Sequence, residues 1–248
     1  MRLYLLQCGT CDIAWNELIP NTGRTGLISI PIPALLVETA DAKYLVDTGM
    51  PDSLIDYTGP LAEGVEIFPR MKADDAISEQ LKLVGLTTRE ITCVINTHLH
   101  FDHAGGNAHF VHQPILIQDA ALEAARAAGA AGWPGWDVPG LRYESIRGDY
   151  HVCDGLDLLL TPGHTHGHQS VLVTLDDGQR LLFSGDAVYT GANWAEDALG
   201  AMVDPVAGQA SVERLRREAA LPNTTIVFGH DSAQWATLRH PPTCYGAE

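Results

Sequence analysis

Apolar positions recur along this chain in two periods. Short runs rich in branched residues, each closed by Gly, Pro, Asp or Asn, have the length and composition of strands. They predict strands over residues 2–6, 34–38, 43–47, 92–96, 114–118, 156–160, 170–175, 180–184 and 225–228. Asp176-Asp177-Gly178-Gln179 supplies a hairpin turn between two of them. Elsewhere the period lengthens to that of a helix. Residues 76–84 set Ile77, Leu81 and Val84 on one face, and residues 209–221 set Val212 and Leu215 against charged neighbours. The alanine-rich stretch 119–128 opens at Asp119, a residue type that caps helices. Thr87-Thr88-Arg89-Glu90 has the form of a capping box but leads into too little helix, so it predicts a turn. Residues 129–142, with Trp133-Pro134-Gly135-Trp136, have the Gly and Pro density of an irregular loop, either packing or a lid. Residues 16–33 read the same way, as a lid or a dimer contact. The sum is a mixed α/β architecture.

Length and composition narrow this further. No repeat of fixed period appears, and 248 residues, 46% of them hydrophobic, suffice for one large domain over 1–248. The balance of 15 basic against 31 acidic residues, a net charge of -16, argues against nucleic acid, whose binding needs clustered Lys and Arg. Part of that acidity is what a divalent-cation site would carry. The five cysteines Cys8, Cys11, Cys93, Cys153 and Cys244 follow no disulfide framework and fit a reducing cytoplasm. Cys8 and Cys11 form a lone C-x-x-C pair, read as buried thiols. The amino-terminal apolar run is too short for a signal segment, and no stretch reaches the roughly 18 apolar residues of a membrane span. The expectation is a cytoplasmic protein without membrane or nucleic-acid partners.

The chemistry lies where strands end. The run 92–96 leads into His98-Leu99-His100-Phe101-Asp102-His103, 156–160 into His164, 180–184 into Asp186, and 225–228 into His230. If these strands share an edge, their side chains converge on loops held by a rigid scaffold. Three His and one Asp within six positions point to metal binding. Imidazole and carboxylate together suit zinc, with manganese, iron or cobalt compatible.

The pattern H-x-H-x-D-H followed by separate His, Asp and His residues is similar to that of the metallo-β-lactamase superfamily. Residues 45–51, 98–107, 161–164, 167–170 and 228–231, with Tyr189 three positions after Asp186, resemble the N-acyl-homoserine lactonases that inactivate quorum-sensing signals. The likeness runs from about Leu3 to Trp235. It implies an αβ/βα sandwich of two mixed sheets flanked by helices, with two Zn2+ per chain. His98, His100 and His164 would hold one ion, Asp102, His103 and His230 the other, and Asp186 would bridge them. Asp47 and His168 would brace the ligands from behind.

The resemblance also implies a reaction. Two ions about 3.5–4 Å apart generate a bridging hydroxide that attacks a lactone carbonyl. Tyr189 stabilises the oxyanion, and Asp102 passes a proton to the leaving alkoxide. Phe101, Ile13, Trp15, Trp194 and Met202 are candidates for the apolar substrate surface. The family often has a smaller residue near Met202, His166 stands where lactonases often carry Pro, and Ser184-Gly185 differs from the usual neighbours of the bridging Asp. Asp204-Pro205-Val206-Ala207-Gly208 and Cys244-Tyr245-Gly246 resemble 4-pyridoxolactonase, which makes that lactone, or a glyoxalase II-like thioester, the alternative substrate. An iron-dependent redox enzyme of this fold is the second class; Tyr189 and the lack of a flavin domain favour hydrolysis. His109, His112, His151 and His240 lie outside the motifs and read as surface or packing residues.

Overall fold

A computed structural model describes residues 1–20, 22–129 and 135–246. The larger sheet contains β1 (Arg2–Ala14), β2 (Leu27–Glu38), β3 (Lys43–Val46), β4 (Ile67–Arg70), β5 (Cys93–Ile95), β6 (Pro114–Gln118), β7 (Arg142–Ile146) and β13 (Tyr245–Gly246). Its order is β13-β1-β2-β3-β5-β6-β7, with β4 also on β1. The second sheet contains β8 (Tyr150–Cys153), β9 (Leu156–Leu160), β10 (Gln169–Thr174), β11 (Arg180–Phe183) and β12 (Thr224–Val227), in the order β12-β11-β10-β9-β8.

Strand alternation explains how the layers stack. In β1, Leu3 and Leu5 face the second sheet and meet Leu158, Val171, Val173 and Phe183. Tyr4 and Leu6 face the other way, into a core closed by Ile77 and Leu81 of α2 (Ile77–Lys82). The second sheet repeats the scheme: Leu172 and Leu182 point outward onto Val212 and Leu215 of α6 (Pro205–Ala219). Two sheets thus pack face to face, with helices covering both outer surfaces.

Several boundaries differ from those expected. The run 2–6 continues to Ala14, because β1 passes its polar stretch through a register shift between Gln7 and Thr10. Gly9, at φ +92° inside that shift, is where a bulge needs glycine. The segment 16–33, expected to be irregular, contains a turn of helix, α1 (Trp15–Leu18), and the start of β2, whose Pro31 and Pro33 disguise a paired strand. Strands β7 and β8 are sheet edges with mostly exposed residues, and so lack the continuous apolar run that marks inner strands. Helix α6 begins at Pro205 rather than 209, since Asp204 Oδ1 accepts from the backbone of Val206 and Ala207 at 3.0 Å each.

Asp119 is not a cap. It is the first residue of α4 (Asp119–Ala128), and its carboxylate accepts from Arg147 Nε at 2.8 Å. The capping box at Thr87 does form, around a single turn over Thr88–Glu90. Of the 129–142 loop, Trp133 and Pro134 lie outside the described residues, while Trp136 is buried against Leu99 and Leu122.

Candidate metal centre

Strand direction brings the ligand-type residues together. β9 is antiparallel to β10, β10 is antiparallel to β11, and β11 is parallel to β12, so β9, β11 and β12 end on the same edge. Those ends deliver His164, Asp186 and His230. From the other sheet, β5 leads into His98 and then into the single turn α3 (Phe101–Ala104). Gln169 joins the two sides: its backbone N–H donates to Thr97 O at 3.0 Å and its Nε2 to Asn96 O at 2.8 Å. Close approach requires glycine here. A Cβ on Gly106 would lie 2.3 Å from Thr48 O, and one on Gly185, at φ +52°, would lie 2.7 Å from His168 Nε2.

The residues meet in two groups. Ligand-type atoms of His98, His100, His164 and Asp186 lie within 4.8 Å of one another, as do those of Asp102, His103 and His230. Asp186 faces both. Its Oδ2 is 3.2 Å from His164 Nε2 and 3.7 Å from His98 Nε2, whereas its Oδ1 is 3.2 Å from His103 Nε2 and 3.1 Å from His230 Nε2. All of these side chains except His100 are buried, and His100 is nearly so.

Hydrogen bonds behind the rings decide which nitrogens present lone pairs. His164 Nδ1 donates to Ala201 O at 2.9 Å and His230 Nδ1 to Pro31 O at 2.9 Å, which in the neutral ring makes each Nε2 an acceptor. His103 Nδ1 pairs with Asp47 Oδ2 at 2.8 Å. Thr97 donates its hydroxyl to the same carboxylate at 2.8 Å, so it can only accept from His98 Nδ1, 3.0 Å away. The result is bare nitrogen facing bare nitrogen, His98 Nε2 to His164 Nε2, at 3.2 Å. His103 Nε2 and Asp186 Oδ1 are buried without any hydrogen-bond partner. Lone pairs forced together in a buried site repel unless cations lie among them, so the donor set fits two positive ions.

Electrostatics divides the set: burial works to lower His103 and His230, but Asp186 and Asp102 outweigh it and raise both above the usual histidine range, so positive charge is favoured there. Burial, then the neighbouring imidazoles, pushes His98 and His100 well below the usual histidine range, and burial lowers His164 as well. Burial works to raise Asp186, but His103, His230, His164 and His98 outweigh it and hold the carboxyl far down. His168 is committed elsewhere. Its Nδ1 donates to Thr161 O at 3.1 Å and its Nε2 accepts from the Asp186 backbone at 2.9 Å. No lone pair remains for an ion, and burial lowers its pKa to about 3. His168 therefore positions the Asp186 segment.

A cavity of about 170 Å³ opens over the two groups. His100, Asp102, His164, Asp186 and His230 form its polar floor, while Ile13, Leu18, Ile30, Ile67 and Phe101 form apolar walls. Tyr189 also lines it, with its hydroxyl 3.1 Å from His164 Nδ1. Burial, then the charges of Asp186 and Asp102, raises the Tyr189 pKa well above its ordinary value, so the phenol keeps its proton.

Three expected substrate contacts lie away from this cavity. Trp15 packs on the outer core under the Arg24 guanidinium, Trp194 of α5 (Gly191–Glu196) packs on Phe228 beneath Arg216, and the Met202 sulfur lies over Gly208 of α6. None of the three lines this cavity. Leu18, Ile30 and Ile67 do, and sequence reasoning missed them along with Thr97, the hydroxyl between Asp47 and His98. Strand pairing of β1 with β2 and β4 is what brings the wall residues together, and no local motif encodes it.

Two packed mixed sheets with helices outside, and a His/Asp cluster at their common edge, define a metal-dependent hydrolase fold. The chain belongs to the metallo-β-lactamase superfamily, whose family model matches residues 30–230. It is 36% identical to the N-acyl homoserine lactonase of Bacillus cereus over 237 residues, covering 94% of each chain. It is 35% identical to N-acyl homoserine lactonase AiiA of Bacillus thuringiensis subsp. kurstaki over 242 residues, covering 96% of each. A solved N-acyl homoserine lactone hydrolase, with the product N-hexanoyl-L-homoserine bound at its catalytic metal centre, superposes with a TM-score of 0.91 at 35% identity and covers 98% of both chains.

Proposed function

We propose that this enzyme opens the lactone ring of N-acyl homoserine lactones, with two zinc ions as its resident metals. The observation that carries the proposal is Asp186, one carboxylate oxygen turned to each histidine group on the floor of an apolar-walled cavity. The lactonase activity of the relatives supports the same reaction. In this reading His98, His100 and His164 hold one ion, Asp102, His103 and His230 hold the second, and Asp186 serves both. When bound, the ions supply a water that is ionised at neutral pH and draw charge from the ester carbonyl.

The chain's own residues do the rest. Tyr189, kept neutral, donates to the carbonyl oxygen as negative charge gathers there. Asp102, at the cavity floor, carries the water's second proton to the ring oxygen as the acyl C–O bond breaks. Hydroxide thus ends on the acyl carbon and the proton on the alkoxide, and the product is the open hydroxy acid. Asp47 and His168 hold His103 and the Asp186 segment in place. Ile13 and Phe101 contact the substrate's apolar part. No helix among the described residues is long and apolar enough to cross a membrane. All five cysteines are free thiols, which supports a reducing, cytoplasmic setting.

The test is chromatographic detection of N-hexanoyl homoserine formed from its lactone by zinc-loaded protein, run beside 4-pyridoxolactone and S-lactoylglutathione. Preferential opening of the homoserine lactone is expected. Turnover of either other substrate with none of the homoserine lactone would move the assignment to that relative.

A further inference from the structure

The cavity over the two histidine groups carries one charged side chain that belongs to neither group. Glu17 of α1 lines it from an exposed position and so stands at its open edge. The backbone there is fixed, because Leu18 is buried and its carbonyl accepts from Asn193 Nδ2 at 2.8 Å. No basic residue answers the carboxylate. Arg24, the nearest in sequence, is held by Glu196, with Nη1 2.9 Å from Oε2, and no Lys or Arg is among the described residues that line the cavity. Glu17 itself has no ion-pair partner among the described residues. Its charge nonetheless reaches the site: after burial, Asp186 and Asp102, it is the remaining cause that raises the Tyr189 pKa.

Ring opening changes the charge of what this cavity holds. The lactone is neutral, whereas the hydroxy acid, with a carboxyl pKa of about 4, is an anion at neutral pH. A floor that suits cations, and through them an ester carbonyl, suits a carboxylate better still, so the product competes with fresh substrate. A fixed negative charge at the opening opposes that competition, because it acts on the anion and leaves the neutral lactone almost untouched.

We propose that Glu17 is a specificity-determining residue through which the cavity distinguishes the neutral lactone from the anion it becomes. It weakens the hold on the product and disfavours substrates that carry negative charge, S-lactoylglutathione with its carboxylates among them. This role rests on the lactonase reading above and adds to it the charge class of what enters and what leaves.

Zinc-loaded protein is titrated in a calorimeter with N-hexanoyl homoserine and with its uncharged primary amide, as wild type, Glu17→Gln, Glu17→Lys and Glu213→Gln. Glu17 and Glu213 are both exposed, so these substitutions leave the core undisturbed, and Glu213 lies on α6 outside the cavity lining. Glu17→Gln should bind the acid about 3-fold more tightly and Glu17→Lys about 10-fold, with amide affinity within about 2-fold of wild type in both. Glu213→Gln should match wild type for both probes. In about 1 M salt, where charges are screened beyond roughly 3 Å, the acid affinities should converge. During lactone hydrolysis, the ratio of product Ki to lactone KM should fall by the same factors.

The proposal fails if Glu17→Gln leaves acid binding unchanged, or if Glu213→Gln tightens it as much, since the overall charge of -16 would then account for the effect. It fails too if Glu17→Gln weakens both probes alike, which would make the carboxylate an acceptor for the amide N–H of the substrate. Tighter acid binding that persists in high salt would assign the effect to shape and overturn it as well. Absence of lactone hydrolysis by wild type would overturn the functional reading instead, and a charge-dependent gap between acid and amide would still give Glu17 this role.

Discussion

The two histidine groups that share Asp186 are held from behind by different means. His98 leans on the Thr97 hydroxyl and His164 on a backbone carbonyl, both neutral. In the other group His103 leans on the fully buried carboxylate of Asp47, and Asp102 adds a second negative charge at the front. A carboxylate behind an imidazole raises its basicity toward a cation. The second group should therefore hold its ion more tightly, while the first, built on neutral supports beside Tyr189, should leave its ion the more electrophilic. One site should anchor and the other polarise.

The largest test of this division removes what the groups share. Asp186→Ala should cost both ions at micromolar zinc, seen by elemental analysis, and lower lactone hydrolysis by about 10³-fold or more. Two retained ions with near-normal activity would refute a common carboxylate. Next, Tyr189→Phe should lower kcat about 10²-fold with metal content unchanged, the cost of one oxyanion donor. If zinc is lost from the first group instead, the hydroxyl serves His164 rather than the substrate.

Asp47→Asn addresses the asymmetry directly. It should weaken the second group's affinity about 10- to 100-fold, measured by competition with a chelator, and leave the first group's affinity within a few-fold. Equal weakening of both sites would erase the distinction between them.

The smallest effect is expected far from the metals. Arg214 grips Asp149 with two hydrogen bonds of 2.7 and 2.6 Å, and these hold the Asp149 carboxyl below its usual range. A depressed carboxyl stabilises the fold above its unfolded pKa, so this contribution is complete at neutral pH and fades as pH falls below about 4. Asp149→Asn should cost less than about 1 kcal/mol in denaturant melts at pH 7, nothing in metal content, and flatten the acid limb of stability.

The same contrast explains how far the sequence could be read. Seven ligand-type residues, His98, His100, Asp102, His103, His164, Asp186 and His230, were recognisable because a cation accepts few side chains and each follows a short apolar run. Their supports are uneven. Asp47 is itself a polar residue at a strand end, but the acceptors for His164 and His230 are the carbonyls of Ala201 and Pro31, and a backbone carbonyl leaves no mark on residue type. The inner strands were visible as short continuous apolar runs, whereas β7 and β8, exposed at sheet edges, and the first part of β2, carrying two prolines, were not. The cavity walls were the least accessible part. Ile30 and Ile67 reach the site only through the pairing of β1 with two partners, while Trp15, Trp194 and Met202, near in sequence, are drawn into packing.

Opening the lactone should require two cations, not one. Metal-free protein titrated with zinc and assayed with N-hexanoyl homoserine lactone tests it most directly. Activity should stay low through the first equivalent, which fills the group containing His103, and rise to its plateau at the second. A plateau reached at one equivalent, or hydrolysis indifferent to zinc, would contradict the account.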